Sequence, residues 1–181
     1  MKKALIIIFS GALILAGLTA IITLMSGSFD GMNLKILITT LVFTVYSILG
    51  LCCNAVIGRP VGFVGVIGLA LVGVGLIYAL YTTWFPPDGL ELFLKLRVYL
   101  LAIAIAFAHA SLILLIKAKN SFVGGAVIIA LICNVFATLL VLSIISSIDN
   151  AGDVILLLGV VSIVGVVATI LAPMMNKFSS N

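Results

Sequence analysis

The chain has 181 residues, of which 65% are hydrophobic and only 8% charged, and its net charge is +4. A soluble domain is about half apolar and about a quarter charged, and a chain of this size has too much surface for its volume to hide so many apolar side chains. A soluble globular protein is therefore excluded, and so is a nucleic-acid binder, because the nine Lys and Arg residues are scattered and form no dense basic face.

Six apolar runs follow one another, at 4–25, 36–57, 61–84, 98–116, 122–145 and 154–175. A hydrocarbon core of about 30 Å takes about 20 helical residues, so each run predicts one crossing. Helices are expected because each satisfies its own backbone groups in lipid. A membrane barrel would alternate in segments of about ten residues, and these runs do not alternate. The start, Met1-Lys2-Lys3 before an apolar stretch, has the look of a signal peptide. The run is too long for one, however, and it reads as a retained first helix.

The punctuation between runs repeats with a period near sixty residues. Acidic turns recur at Phe29-Asp30-Gly31, Pro87-Asp88-Gly89 and from Asp149 to Asp153. Basic junctions recur at Arg59, Lys117/Lys119 and Lys177, and Phe63-Val64-Gly65 is echoed by Phe122-Val123-Gly124. This spacing predicts three parallel two-helix hairpins, about 1–59, 60–119 and 120–181, within a single integral membrane domain over 1–181.

The cations set the orientation. With the N-terminus inside, Lys2, Lys3, Arg59, Lys117, Lys119 and Lys177 fall on the cytoplasmic side. All five acids fall outside, together with Lys35, Lys95 and Arg97. Both termini are therefore expected in the cytoplasm. The lysine-led start and the lack of organelle signals point to the inner membrane of a prokaryote, with a multi-pass chain.

Small or weakly polar residues recur at helical spacing in every run: Ala12, Ala16, Thr19 and Thr23; Thr40, Thr44, Ser47 and Asn54; Gly65, Gly68, Gly75 and Ala79; Ala102, Ala106 and His109; Ala130, Asn134 and Thr138; Ser162, Gly165, Thr169 and Ala172. In lipid such stripes let helix backbones approach closely, and packing is the expected role.

No Asp, Glu, Lys or Arg stands in the middle of a run, so the usual signature of ion coupling is missing. The candidate intramembrane polar contacts are His109, Asn134, Asn54, Ser47 and Thr44. His109, the single histidine, lies about 12 Å in from Lys117. Its expected partner is a neighbouring helix, through Asn54, Ser111 or a carbonyl. Asn134 sits near the middle of the fifth run, where an amide needs a partner. Asn54 is close enough to Arg59 to reach the interface. Cys52, Cys53 and Cys133 have no metal or disulfide spacing and are expected to be free thiols. No metal, cofactor or catalytic constellation is expected, and hence no enzyme.

The longest turn, 82–97, forms a candidate outer docking segment with Asp88, Glu91, Lys95 and Arg97. Pro86-Pro87 stops the third helix, and Asp88 caps a fourth that starts near Gly89 and runs to Ile116.

In architecture alone, three parallel hairpins resemble the acid-resistance HdeD-type membrane proteins of bacteria, although Trp84 is the only tryptophan where that likeness implies several. The size, and the run Ala12, Ala16, Ala20, resemble the substrate-binding subunits of energy-coupling-factor vitamin transporters. The expected function is that of a non-enzymatic structural or accessory subunit in the lipid bilayer, acting through helix–helix contacts as a homo-oligomer or with other membrane subunits. The alternative is a carrier or pore for a small neutral solute, lined by Asn134, His109, Thr44 and Ser47.

Overall fold

The computed structural model describes residues 31–86, 90–116 and 121–146. It also describes positions 7, 10, 11, 14, 15, 17–19, 21, 22 and 25 near the start and 158, 160–167 and 169 near the end. Among the described residues the protein is all-helical, with four long helices: α1 (Gly31–Ala55), α2 (Gly62–Trp84), α3 (Leu90–Ile113) and α4 (Ser121–Ser146). Each holds a stretch long and apolar enough to cross a membrane, namely Leu34–Ala55, Gly62–Trp84, Leu92–Ile113 and Ser121–Ser146. The described positions of the first and last runs are also helical.

Two helices begin well before their apolar runs. The expected start at 36 is Gly31, and the expected start at 98 is Leu90, close to the start at Gly89 inferred from the turn. A lysine or arginine near a helix start breaks the apolar run but not the backbone ladder, so Lys35, Lys95 and Arg97 are all helical. The third of these helices ends at Ile113 rather than 116, and its last residues tighten into turns in which Leu115 N–H donates to Leu112 O at 3.1 Å and Ile116 N–H to Ile113 O at 3.0 Å.

Successive helices pack side by side, and α1 also packs on α3. Hydrogen bonds at the ends fix their directions. At one end Trp84 Nε1 donates to Thr39 Oγ1 at 3.1 Å, Arg97 Nη1 to Thr83 Oγ1 at 3.4 Å and Tyr78 Oη to Phe93 O at 3.5 Å. Ser146 Oγ donates to Leu142 O at 2.8 Å, so Tyr99 Oη supplies the proton in its 2.5 Å bond to Ser146. At the opposite end, Arg59 Nη1 donates to Leu115 O at 2.8 Å. The last carbonyls of a helix lack intrahelical partners and carry partial negative charge, so a cation is a fitting cap for α3. Arg59 thus stands at the end opposite Lys95 and Arg97. Lys117 and Asp88 lie outside the described residues.

The link from α1 to α2 is short. Arg59 N–H donates to Val56 O at 3.2 Å and Gly62 N–H to Arg59 O at 2.8 Å. Gly58 turns the chain at φ 91°, a conformation that side chains disfavour.

The core is built of small residues. On α2 the buried positions include Gly65, Gly68, Gly75 and Ala79, the expected stripe, while Phe63, Val66, Ile67, Val74 and Ile77 point outward and are exposed. At Gly65 a Cβ would run into the Cys53 carbonyl oxygen, and it would stand 2.6 Å from Val56 Cγ1. Large apolar groups outside and glycine inside is the reverse of the arrangement water imposes, and it matches helices solvated by acyl chains. The main cluster joins Val42, Tyr46 and Cys53 of α1, Val72 and Ala79 of α2, and Ala104 and Ala108 of α3.

On α3 the expected stripe faces α4 rather than the main cluster. Ala104, Ala108 and Ser111 are buried, whereas Ala102, Ala106 and His109 are only half-buried and face the other way. A helix apolar all round offers no periodic signal for its inward side.

Tyr46, 3% exposed, packs against Gly75, where a Cβ would stand 2.8 Å from its Oη. Among the described residues this hydroxyl has no hydrogen-bond partner. An unpaired buried hydroxyl costs about 1–3 kcal/mol. Tyr46→Phe is therefore expected to raise the unfolding free energy by about 1 kcal/mol, measured by reversible unfolding in mixed micelles. A loss of stability would mean that Oη has a partner.

Candidate functional site

The seam between α3 and α4 brings two of the sequence candidates together. Ile113 and Ala130 are fully buried in one small cluster there, and one helical turn along each chain His109 faces Asn134. His109 Nδ1 and Asn134 Oδ1 are 3.0 Å apart, and Asn134 Nδ2 donates to Ala106 O at 3.0 Å. The histidine's partner is thus an amide on the next helix, not Asn54 or Ser111. Both sides of the pair are half-buried.

This pair forms part of the wall of a cavity of about 380 Å³ between α3, α4 and the described positions 158–166. Thr138, Cys133 and Ser162 also line it, and the rest of the wall is aliphatic, including Ala102, Ile105 and Val141. The last run closes in on α4 through Gly165, where a Cβ would stand 3.2 Å from Cys133 Cβ. Thr138 Oγ1 donates to Asn134 O at 2.7 Å, which leaves the hydroxyl only lone pairs to offer the cavity. A mainly apolar hollow of this size with a few convergent polar atoms is the usual form of a small-molecule site. A second hollow of about 300 Å³ lies across the same seam, between Val64 of α2, Phe107 of α3 and Leu139 of α4, and Asn134 and Ala106 line both.

The other candidates lie elsewhere. Ser47 and Asn54 are buried on α1, and neither they nor Thr44 line either hollow. Thr44 Oγ1 donates to Thr40 O at 2.9 Å within its own helix. Asn54, expected to reach the interface, is 7% exposed, because the α1 terminus is covered where the chain doubles back into α2. Cys52, Cys53 and Cys133 are free, and Cys53 is fully buried where a Cβ on Gly68 would meet its sulfur at 2.7 Å. Among the described residues no cluster of three metal-ligating side chains occurs.

Of the outer docking segment, Asp88 and the Glu91 side chain lie outside the described residues. Lys95 and Arg97 are half-buried, and Arg97 is engaged with Thr83. The sequence marks Arg59 only as a basic junction, with no sign of its bond to Leu115, and it does not mark Tyr46. Tyr46 was detectable in principle, because it and Gly75 lie at nearly equal distances from the Arg59-Pro60 link, a large residue opposite a small one. No protein-family model matches the chain, and no curated protein or solved structure has detectable similarity to it.

Proposed function

We propose that the protein is a multi-pass membrane protein that holds a small neutral solute in the cavity beside His109 and Asn134, as a carrier or binding subunit. The observation that carries this reading is the convergence of His109, Asn134 and Thr138 on one apolar hollow of about 380 Å³. The expected architecture of six crossings in three parallel hairpins, with both ends inside, belongs to the same proposal. It is supported by the four apolar helices, by their alternating directions, and by Arg59 lying opposite Lys95 and Arg97.

Two measurements test the proposal. In whole cells, a cysteine placed at Asn150 should react with a membrane-impermeant thiol reagent and one placed at Lys119 should not; the reverse pattern would sink the orientation. In a thermal-shift screen of small neutral compounds on purified protein, compounds that stabilise the wild type should lose their effect in Ala137→Leu, which narrows the cavity. A ligand at a hundred times its Kd contributes about 2.7 kcal/mol, so a screen without a single stabiliser would count against a binding site.

A second reading, a structural or accessory subunit, is favoured by the glycine-packed core of α1, α2 and α3, which lines no part of the 380 Å³ cavity except through α3. The outward apolar residues of α4, among them Ile128, Ile129, Ile132 and Phe136, are exposed and would meet lipid or a neighbour. Under that reading the protein leaves mild detergent with a partner or as an oligomer, and a monodisperse monomer would argue against it.

A further inference from the structure

We infer that the cavity selects a small neutral compound that donates a hydrogen bond, such as an alcohol, phenol or N–H group on an apolar body. The inference rests on the binding role proposed above and follows from a chain of donors and acceptors. A backbone carbonyl can only accept, so the Asn134 atom facing Ala106 O must be its NH₂ group. The other amide atom, Oδ1, can also only accept, so the proton in the bond to His109 is on Nδ1. A neutral imidazole has one N–H, and Nε2 is therefore left with a lone pair.

Among the described residues nothing donates to Nε2, and His109 is one of the residues that line the cavity. No acid on α4, or on the described part of the last run, stands ready to balance an imidazolium, and the one acid on α3, Glu91, is at the other end of that helix. Thr138 adds a second acceptor, since its proton is already given to Asn134 O, and the Ser162 hydroxyl can play either part. An unmet acceptor in an apolar wall is unfavourable, and a ligand O–H or N–H placed at Nε2 relieves it. A ketone or ether of the same shape offers nothing there.

A chain with one histidine has one imidazole signal set, so the test is direct. Histidine-labelled ¹⁵N protein in nanodiscs is examined alone, with 2-naphthol, and with 2-methoxynaphthalene, which keeps the rings and loses the O–H. The expected result is a protonated Nδ1 and an unprotonated Nε2. The Nε2 signal should move saturably with the naphthol and require about tenfold more ether for any comparable shift. Ala137→Leu, which leaves the His109–Asn134 pair in place, should abolish the naphthol shift. A proton on Nε2 in the free protein, or equal shifts with both compounds, overturns the donor preference while leaving the cavity as a binding site. An Nε2 signal that neither compound moves, with the tautomer as expected, overturns the binding role as well.

Discussion

Gly65→Ala is expected to destabilise the protein by about 3 kcal/mol, at the upper end of what overpacking costs, while Gly73→Ala is expected to be neutral or to gain up to about 1 kcal/mol from helix propensity. The two glycines lie on the same helix, eight residues apart. At Gly73 a Cβ meets nothing within 4 Å. At Gly65 it meets the carbonyl oxygen of Cys53, which is backbone, and the Val56 and Ile57 side chains. A side-chain terminus can rotate away, but a carbonyl within a helix cannot, so α1 and α2 would have to separate along a seam that includes the fully buried Cys53 and Val56. Reversible unfolding of both variants in mixed micelles gives the comparison. Equal stabilities would show that the helices do not approach as closely as the Gly65 contact requires.

The second large effect belongs to the polar pair. Asn134→Leu is expected to cost about 1–2 kcal/mol, the upper part of the range for interhelical hydrogen bonds in bilayers. It removes two bonds at once, one to His109 Nδ1 and one to Ala106 O. His109→Leu removes one and leaves Asn134 Oδ1 unmet. The double variant should therefore cost less than the two single variants added together, by about 0.5–1 kcal/mol of coupling. The cycle is read from the same unfolding equilibrium. Strict additivity would mean that the two side chains do not interact in the folded protein.

Both effects bear on what composition and pattern reveal about a chain of this kind. The packing face of α2 was legible because its neighbours differ in size: Gly65, Gly68, Gly75 and Ala79 on one side, Phe63, Val66, Ile67 and Ile77 on the others. On α3 the same reasoning chose Ala102, Ala106 and His109, whereas the core takes Ala104, Ala108 and Ser111. Alanine lies on both sides of that helix, and only the position of α1 and α2 distinguishes them. The apolar runs begin later than the helices in α1 and α3 because hydropathy measures contact with lipid, and a helix continues past the hydrocarbon wherever its backbone ladder can; for α3 the Pro-Pro-Asp-Gly turn places the start within one residue of Leu90. For His109 the need for a partner was legible, and the partner was not. Asn134 is twenty-five residues away, and the pairing depends on the register of α3 against α4, which no local pattern encodes. Ser47, Thr44 and Asn54 carried the same polar signal as His109, and they lie on a helix that lines neither hollow.

The bond from Arg59 to Leu115 spans fifty-six positions of sequence. A nascent polypeptide emerges in order, so the guanidinium lacks this carbonyl acceptor until the far end of α3 has been synthesised. Until then the bend at Gly58 is held by its own backbone contacts and by the packing of α1 against α2. Completion of the bend between α1 and α2 is in this sense a late event, waiting on the far end of α3, a helix made after both.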